Sequence, residues 1–419
     1  MRIPSSLGSW FVASLLIAAA PAQKAVHGRL DTFGDLKVLH VWGAPAERGY
    51  AHGLLLGKDI AATLVAEWTA RFTRARPMLD QARGAVGRLI TYPDDVRDEI
   101  AAVFEGIVES KASLEMPELE RAFDLQDLLV ANALDVFGLM GCSSFTVWDD
   151  RVDGGGVLTA RNFDWPLTGR HLLDATMVIV QHFGDGHAVA SVGWPGFVGT
   201  VTGVSKDGVA TFLHVGSAKI TMMPEPDSWP TAIAARRILA AGPGEDPDAT
   251  FAACKKLLEY TSPPAGYATH VVLPKSIGGA RPAAVFETDA KSCVQAELAA
   301  GPCVLTNHFR TRTDGRQASR DSLGREKRVT EEIGGCIDTG DHRVSVQEAW
   351  TILESVSRDG RGMGTLHSIV FRHEPWVFEL RIATLDAQGA VVGAPKSERR
   401  HALTRDQVFP AVGGDTAPR

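Results

Sequence analysis

At Cys142 the chain changes its period. Upstream, Leu125, Leu128, Leu129, Leu134 and Phe137 recur at helical spacing, and Gly138 and Gly141 interrupt that pattern just ahead of the cysteine. Downstream, Phe145-Thr146-Val147-Trp148, Val157–Ala160, Met177–Val180 and Ala188–Val192 are short β-type runs separated by glycine and aspartate. A sequence divided in this way folds as α+β. A helical N-terminal part, residues 23–141, meets a β-rich part, residues 142–419, at the Gly141-Cys142 pair.

The other segments obey the same division with exceptions. Leu36–Trp42 alternates like a strand, Gly43-Ala44-Pro45 ends it, and a helix with Leu55, Ile60, Leu64 and Trp68 near one face follows. Arg48 and His52 lie in its first turns, where such residues usually tie a helix end to its neighbour. A further helix is expected over Asp98–Leu114, and two more over Thr231–Ala241 and Ala249–Leu258. Strands are expected at Thr269–Leu273, Ala284–Phe286 and Cys303–Thr306, and as a closing hairpin at Gly364–Phe371 and Trp376–Leu380. Between these, Arg310–Arg328 reads as loop passing into helix.

The first residues have another character. Arg2 precedes an apolar run from Trp10 to Ala20, and Ala20-Pro21-Ala22 follows, the three regions of a secretory signal peptide. Residues 1–22 are therefore expected to be removed after Ala22, and the mature protein to be secreted or periplasmic and not inserted in a membrane; the run is shorter than the ~20 apolar residues of a spanning helix. A formal net charge of −7 leaves no basic stripe for nucleic acid. Five cysteines, Cys142, Cys254, Cys293, Cys303 and Cys336, leave one thiol over if the others pair. Cys142 is the candidate for that thiol, and Cys293 and Cys303 are the closest pair in sequence. No spacing matches a paired-cysteine zinc site.

The chemistry concentrates at Gly141-Cys142-Ser143-Ser144-Phe145 and at Arg161-Asn162-Phe163-Asp164-Trp165. A thiolate is the effective nucleophile, and an ordinary cysteine is mostly protonated near neutrality, so a base or a cation must assist it. Cleavage of the Gly141–Cys142 bond would supply the base, because an α-amino group of pKa roughly 7.7 to 8.0 can take the thiol proton within one residue. Arg161 would favour the thiolate and Asp164 would hold the amino group. Their three-residue separation does not fit one face of a regular strand, so a turn or bulge is expected at Asn162-Phe163. Asn307, after the Cys303–Thr306 run, offers a side-chain NH2 to a developing oxyanion, and a backbone N–H of the turn Val204–Gly208 is a second candidate donor. Each feature also has a plainer reading: a surface Arg-Asp pair, a buried structural cysteine, a turn-forming asparagine.

Together these segments resemble the N-terminal-nucleophile enzymes of the isopenicillin N acyltransferase type, peptidase family C45, which are related to the choloylglycine hydrolases and acid ceramidases. Gly43–Gly53 is similar to the family's opening segment and Gly141–Phe145 to its processing site. The resemblance implies an αββα sandwich of antiparallel sheets flanked by helices, autocatalytic cleavage before Cys142, and hydrolysis or transfer of an amide-linked acyl group. It implies Cys142 as nucleophile, Arg161 and Asp164 as its support, and Asn307 as an oxyanion donor. The turn position at Ser205 serves the oxyanion or the substrate, and a further arginine is expected at Arg325, with Arg320 and Arg328 as rivals. Relatives commonly carry asparagine where this chain has Ser205, which a backbone donor tolerates.

The expected partner is a small N-acyl amide or peptide, with water as default acceptor, besides the association of the protein's own two processed chains; no metal and no organic cofactor is expected. Two other readings compete. One is an exported binding protein that keeps the sandwich without catalysis. The other is a metalloenzyme using His308, His367 or His373, whose spacing matches no HExxH-type motif.

Overall fold

The computed structural model describes residues 24–413 except 134, 136–139, 167–170, 217–223, 313, 314, 316, 340 and 361. The expected signal segment and Leu134, Phe137 and Gly138 lie outside the described residues. Among those described, no helix is long and apolar enough to cross a membrane.

Two sheets carry the fold. The larger has nine strands in the order Gly28–Phe33, Leu36–Val41, Met177–His182, Ala188–Gly193, Thr202–Ser205, Ala210–Val215, Tyr267–Val272, Ala283–Thr288 and Cys293–Gln295. Its neighbours run antiparallel, except that Leu36–Val41 lies parallel to Met177–His182 with Val38 beside Val178. The smaller sheet is antiparallel, in the order Cys303–Leu305, Gly141–Trp148, Val157–Pro166, Met363–Arg372, Val377–Ile382 and Arg399–Ala402.

Alternation along the strands sorts the side chains into layers. Val180, Phe212 and Val285 of the large sheet meet Ile369, Phe371 and Leu380 of the small one in a dry core. On its outer side the small sheet presents Phe145, Val147, Leu158 and Val370 to Val329 and Ile333 of helix Arg320–Thr339 and to Trp350 and Leu353 of helix Val346–Ser355. The large sheet is covered by helices Thr231–Ala241 and Pro247–Leu258 through Ile238, Leu239, Phe251 and Leu258. Its other end is covered by the helical run Pro45–Phe72 and by helix Asp94–Glu109. The layering is thus helix, sheet, sheet, helix, the α+β sandwich expected from the sequence.

The N-terminal part is less purely helical than its periodicity suggests, because it adds two strands to the large sheet. Its helices pack backbone to backbone: a Cβ at Gly53 would lie 1.9 Å from Val103 O, and one at Gly49 2.1 Å from Glu99 O. Only glycine allows that approach. The helix before Cys142 spans Leu125–Ala131, capped by Asp124, and Gly141 already belongs to the strand.

Candidate active site

Cys142 is the second residue of its strand, and Cys142, Ser144 and Thr146 turn toward the large sheet while Phe145 and Val147 turn toward the helices. The Cys142 thiol is completely buried. It donates to Leu213 O at 3.2 Å and accepts from Arg161 Nη2 at 3.0 Å. Arg161, also buried, donates further to Val201 O at 2.5 Å and Leu213 O at 2.7 Å. Two carbonyls and a sulfur therefore hold one guanidinium between the sheets, where burial disfavours its charged form and hydrogen bonds offset part of that cost. With the Gly141–Cys142 bond intact, burial pushes the thiol up to about 11, against the pull of Arg161.

The main chain of Cys142 is gripped separately. Its N–H donates to Asn307 Oδ1 at 2.8 Å, and its carbonyl accepts from Arg325 Nη1 at 2.5 Å. Arg325 Nη2 reaches the same Asn307 oxygen at 2.8 Å, while Asn307 Nδ2 donates to Val215 O at 3.0 Å. Of the three candidate arginines the structure brings Arg325 to the site, because it lies on the inward face of helix Arg320–Thr339; Arg320 and Arg328 are exposed.

Asp164 stands directly opposite Gly141 in the strand pair. It accepts from Thr365 Oγ1 at 2.7 Å and from Arg358 Nε at 3.0 Å. Arg358 Nη2 also donates to Asp321 Oδ2 at 2.5 Å, and Asp321 receives Arg325 Nε at 3.2 Å. Asp164, Arg358, Asp321 and Arg325 thus form one alternating chain of charges that ends on the Cys142 carbonyl. Arg358 and Asp321 were not singled out by the sequence. The signal for Arg358 was weak: an arginine in the Gly-rich stretch Arg358–Gly364 that leads into a central strand.

Two expectations are corrected. The strand Val157–Pro166 is regular against Gly141–Trp148, so no bulge occurs at Asn162-Phe163; the irregularity lies on the other neighbour, between Thr365 and His367. Arg161 and Asp164 accordingly point to opposite faces, one to the sulfur and one to the Gly141 side. Ser205 is not brought to the site. Its N–H donates to Val209 O at 2.7 Å in the far turn of its hairpin, about 13 Å along the strand from Leu213.

The remaining candidates take separate places. His308 bonds Ser322 Oγ at 2.8 Å and Glu326 at 3.0 Å, His367 bonds Thr202 Oγ1 at 2.9 Å, and His373 packs by Gly208. Among the described residues no three metal-ligating side chains cluster. None of the five cysteines forms a disulfide. His52 accepts the Gly196 N–H at 2.9 Å and Arg48 bonds Gly43 O and Glu99, both tying the helix to its neighbours. Behind Cys142, Ser144 Oγ lies 2.9 Å from both His214 Nε2 and His270 Nδ1, and Thr146 continues the buried file. Burial holds both rings neutral, His270 at about 3 and His214 well below the ordinary value.

No protein-family model matches the chain. An uncharacterized protein of Archaeoglobus fulgidus is 26% identical over 219 residues, 48% of this chain and 36% of that protein. Protein dcd1B of Dictyostelium discoideum is 24% identical over 202 residues, 46% of this chain and 40% of that protein. The similarity thus spans well under half the length of these curated relatives. Among solved structures, a Caenorhabditis elegans N-acylethanolamine-hydrolyzing acid amidase ortholog aligns with 55% of this chain and 92% of its own, at 14% identity and a TM-score of 0.40. A mutant conjugated bile acid hydrolase from Clostridium perfringens aligns with 63% and 96%, at 11% identity and a TM-score of 0.42. At those scores neither activity carries over to this chain.

Proposed function

We propose that the protein is an autoprocessing amide-cleaving enzyme whose nucleophile is Cys142, acting on a small N-acyl amide or peptide. The observation that carries this reading is the double grip on one residue. The sulfur rests 3.0 Å from a buried arginine, while its own N–H and C=O are held by Asn307 and Arg325. A structural cysteine has no use for a cation at its sulfur.

In the uncut chain the Cys142 nitrogen is an amide and cannot act as a base. Attack of the sulfur on the Gly141 carbonyl forms an S–C bond, the C–N bond breaks, and the thiol proton passes to the departing nitrogen, leaving an amine on Cys142. Water then releases Gly141 as a carboxylate and restores the thiol. In the mature enzyme the freed amino group takes the thiol proton, the sulfur attacks the substrate's carbonyl, and the proton leaves with the amine. Hydrolysis of the thioester completes the cycle; an amine in place of water makes it acyl transfer. Nearby Arg325 and Asn307 would hold the new terminus, and Asp164, beside Gly141, would steer it by charge.

We further propose export through residues 1–22, so that the mature chains run from about Gln23 to Gly141 and from Cys142 onward. Intact mass and N-terminal sequencing of wild type and Cys142→Ala test both points. Two wild-type chains, one starting at Cys142, with an uncut variant are expected. An uncut wild-type chain overturns the mechanism and moves the weight to a non-catalytic binding protein.

A further inference from the structure

Self-cleavage makes Met140-Gly141 the protein's first acyl group, and the walls around those two residues are specific. A methyl group on Gly141 would lie 3.1 Å from both Cβ and Oδ2 of Asp164 and 3.2 Å from the Met363 sulfur. Contacts that short require a neighbour to yield. Asp164 cannot yield readily, because its Cβ belongs to the adjacent strand and its carboxylate is held by Thr365 and Arg358. Met363, an unbranched thioether, is the softer wall. Next to this narrow point Met140 is only 4% exposed, within the apolar cluster that includes Phe163, Trp165, Trp194 and Leu366.

The inner side of the Cys142 sulfur is taken by Arg161 and the Leu213 carbonyl. The space that cleavage opens beside it is the one Gly141 and Met140 filled. Building on the proposed function, we infer that the acyl group this enzyme accepts has an unbranched α-carbon and continues into an apolar chain, seated where Gly141 and Met140 sit in the precursor. Asp164 and Met363 are the residues that exclude an α-substituent in the position of an L side chain. The covalent step is the one already given: the sulfur–carbon bond forms, the carbon–nitrogen bond breaks, and the amine departs with the proton.

Three chromogenic probes test this on the mature protein: hexanoyl-4-nitroanilide, (R)-2-methylhexanoyl-4-nitroanilide, whose methyl takes the position of an L side chain, and the adipoyl mono-4-nitroanilide with a terminal carboxylate. Rates are divided by each probe's alkaline hydrolysis rate to remove intrinsic reactivity. Hexanoyl is expected to exceed each of the others by about tenfold or more in kcat/KM, the scale of one overpacked methyl or one desolvated charge. Met363→Ala should narrow the 2-methyl discrimination several-fold and leave the carboxylate penalty in place. In the precursor, Gly141→Ala should slow self-cleavage by about tenfold, and adding Met363→Ala should recover most of it. Equal rates on hexanoyl and 2-methylhexanoyl, or wild-type processing of Gly141→Ala, overturn the inference while leaving the proposed function standing. A wild-type protein that neither cuts itself nor releases nitroaniline from any probe overturns both.

Discussion

The side-chain oxygen of Asn307 accepts the Cys142 N–H at 2.8 Å, so this asparagine addresses Cys142 through its acceptor end. Its NH2, the group expected to face an oxyanion, donates to Val215 O instead. The two ends can be told apart by substitution. Asn307→Asp keeps an acceptor toward Cys142 and Arg325, whereas Asn307→Leu removes it and leaves the Cys142 N–H without that acceptor, at about 1–3 kcal/mol in stability. Processing, followed by mass spectrometry, should survive better in Asn307→Asp than in Asn307→Leu. Equal loss in both would put the function in the NH2 end.

Arg161 is the cation that works against burial at the thiol. Arg161→Met should raise the pH at which Cys142 is alkylated by iodoacetamide by about one unit or more, since a neighbouring opposite charge of this kind lowers a pKa by about 1–3 units. Self-cleavage should fall with it. An unchanged alkylation profile would show that the guanidinium serves only to pack Val201 and Leu213.

Asp164 and Arg358 form one ion pair, separated by 194 residues in the chain. Asp164→Asn and Arg358→Gln should each slow processing, and the double variant should be little worse than either alone. The expected coupling is about 0.5–3 kcal/mol in a double-mutant cycle on the cleavage rate. Additive losses would mean that Arg358 acts elsewhere.

Acid should destabilise the fold through its buried histidines. Burial lowers His52 and His40 from 6.5 to about 4 and His270 to about 3. Between the unfolded and folded values the unfolded chain binds more protons, so stability is full above pH ~6.5 and is lost as pH falls toward 4, with His52 alone contributing about 3 kcal/mol. Asp135, pushed up to about 6, works the other way over part of that range. Urea unfolding of His52→Gln at pH 7 and pH 5 should show a smaller pH slope than wild type, since glutamine keeps an acceptor for Gly196 N–H without titrating. An unchanged slope would remove His52 from the account.

Much of this site was readable because it hangs on local order. Cys142, Arg161 and Asp164 lie on adjacent strands joined by one hairpin, so the Gly-Cys pair and the resemblance it carries put all three in one short stretch of sequence. Asn307 was legible as a strand end, whereas Arg325 came only from the family resemblance, with Arg320 and Arg328 as rivals. Arg358 and Asp321 were not, because an ion pair between distant segments leaves no periodicity to read. The Asn162-Phe163 bulge was expected on the premise that Arg161 and Asp164 must share a face. In the fold they serve opposite sides of one strand, the sulfur on one and the Gly141 side on the other. Ser205 shows the converse error: a turn of the right composition sits at the wrong end of its hairpin.

The parallel pairing of Leu36–Val41 with Met177–His182 joins strands from before the proposed cleavage point to a sheet built mostly from after it. A single chain can find that arrangement by closing a loop, at a rate independent of concentration. Once the Gly141–Cys142 bond is gone, the same strand must be recaptured from solution. Unfolding of the processed protein would then be reversed only by a bimolecular encounter, and dilution would act on it as a denaturant. Under the proposed cleavage the precursor would fold as a single chain, and its product would have the stability law of a heterodimer.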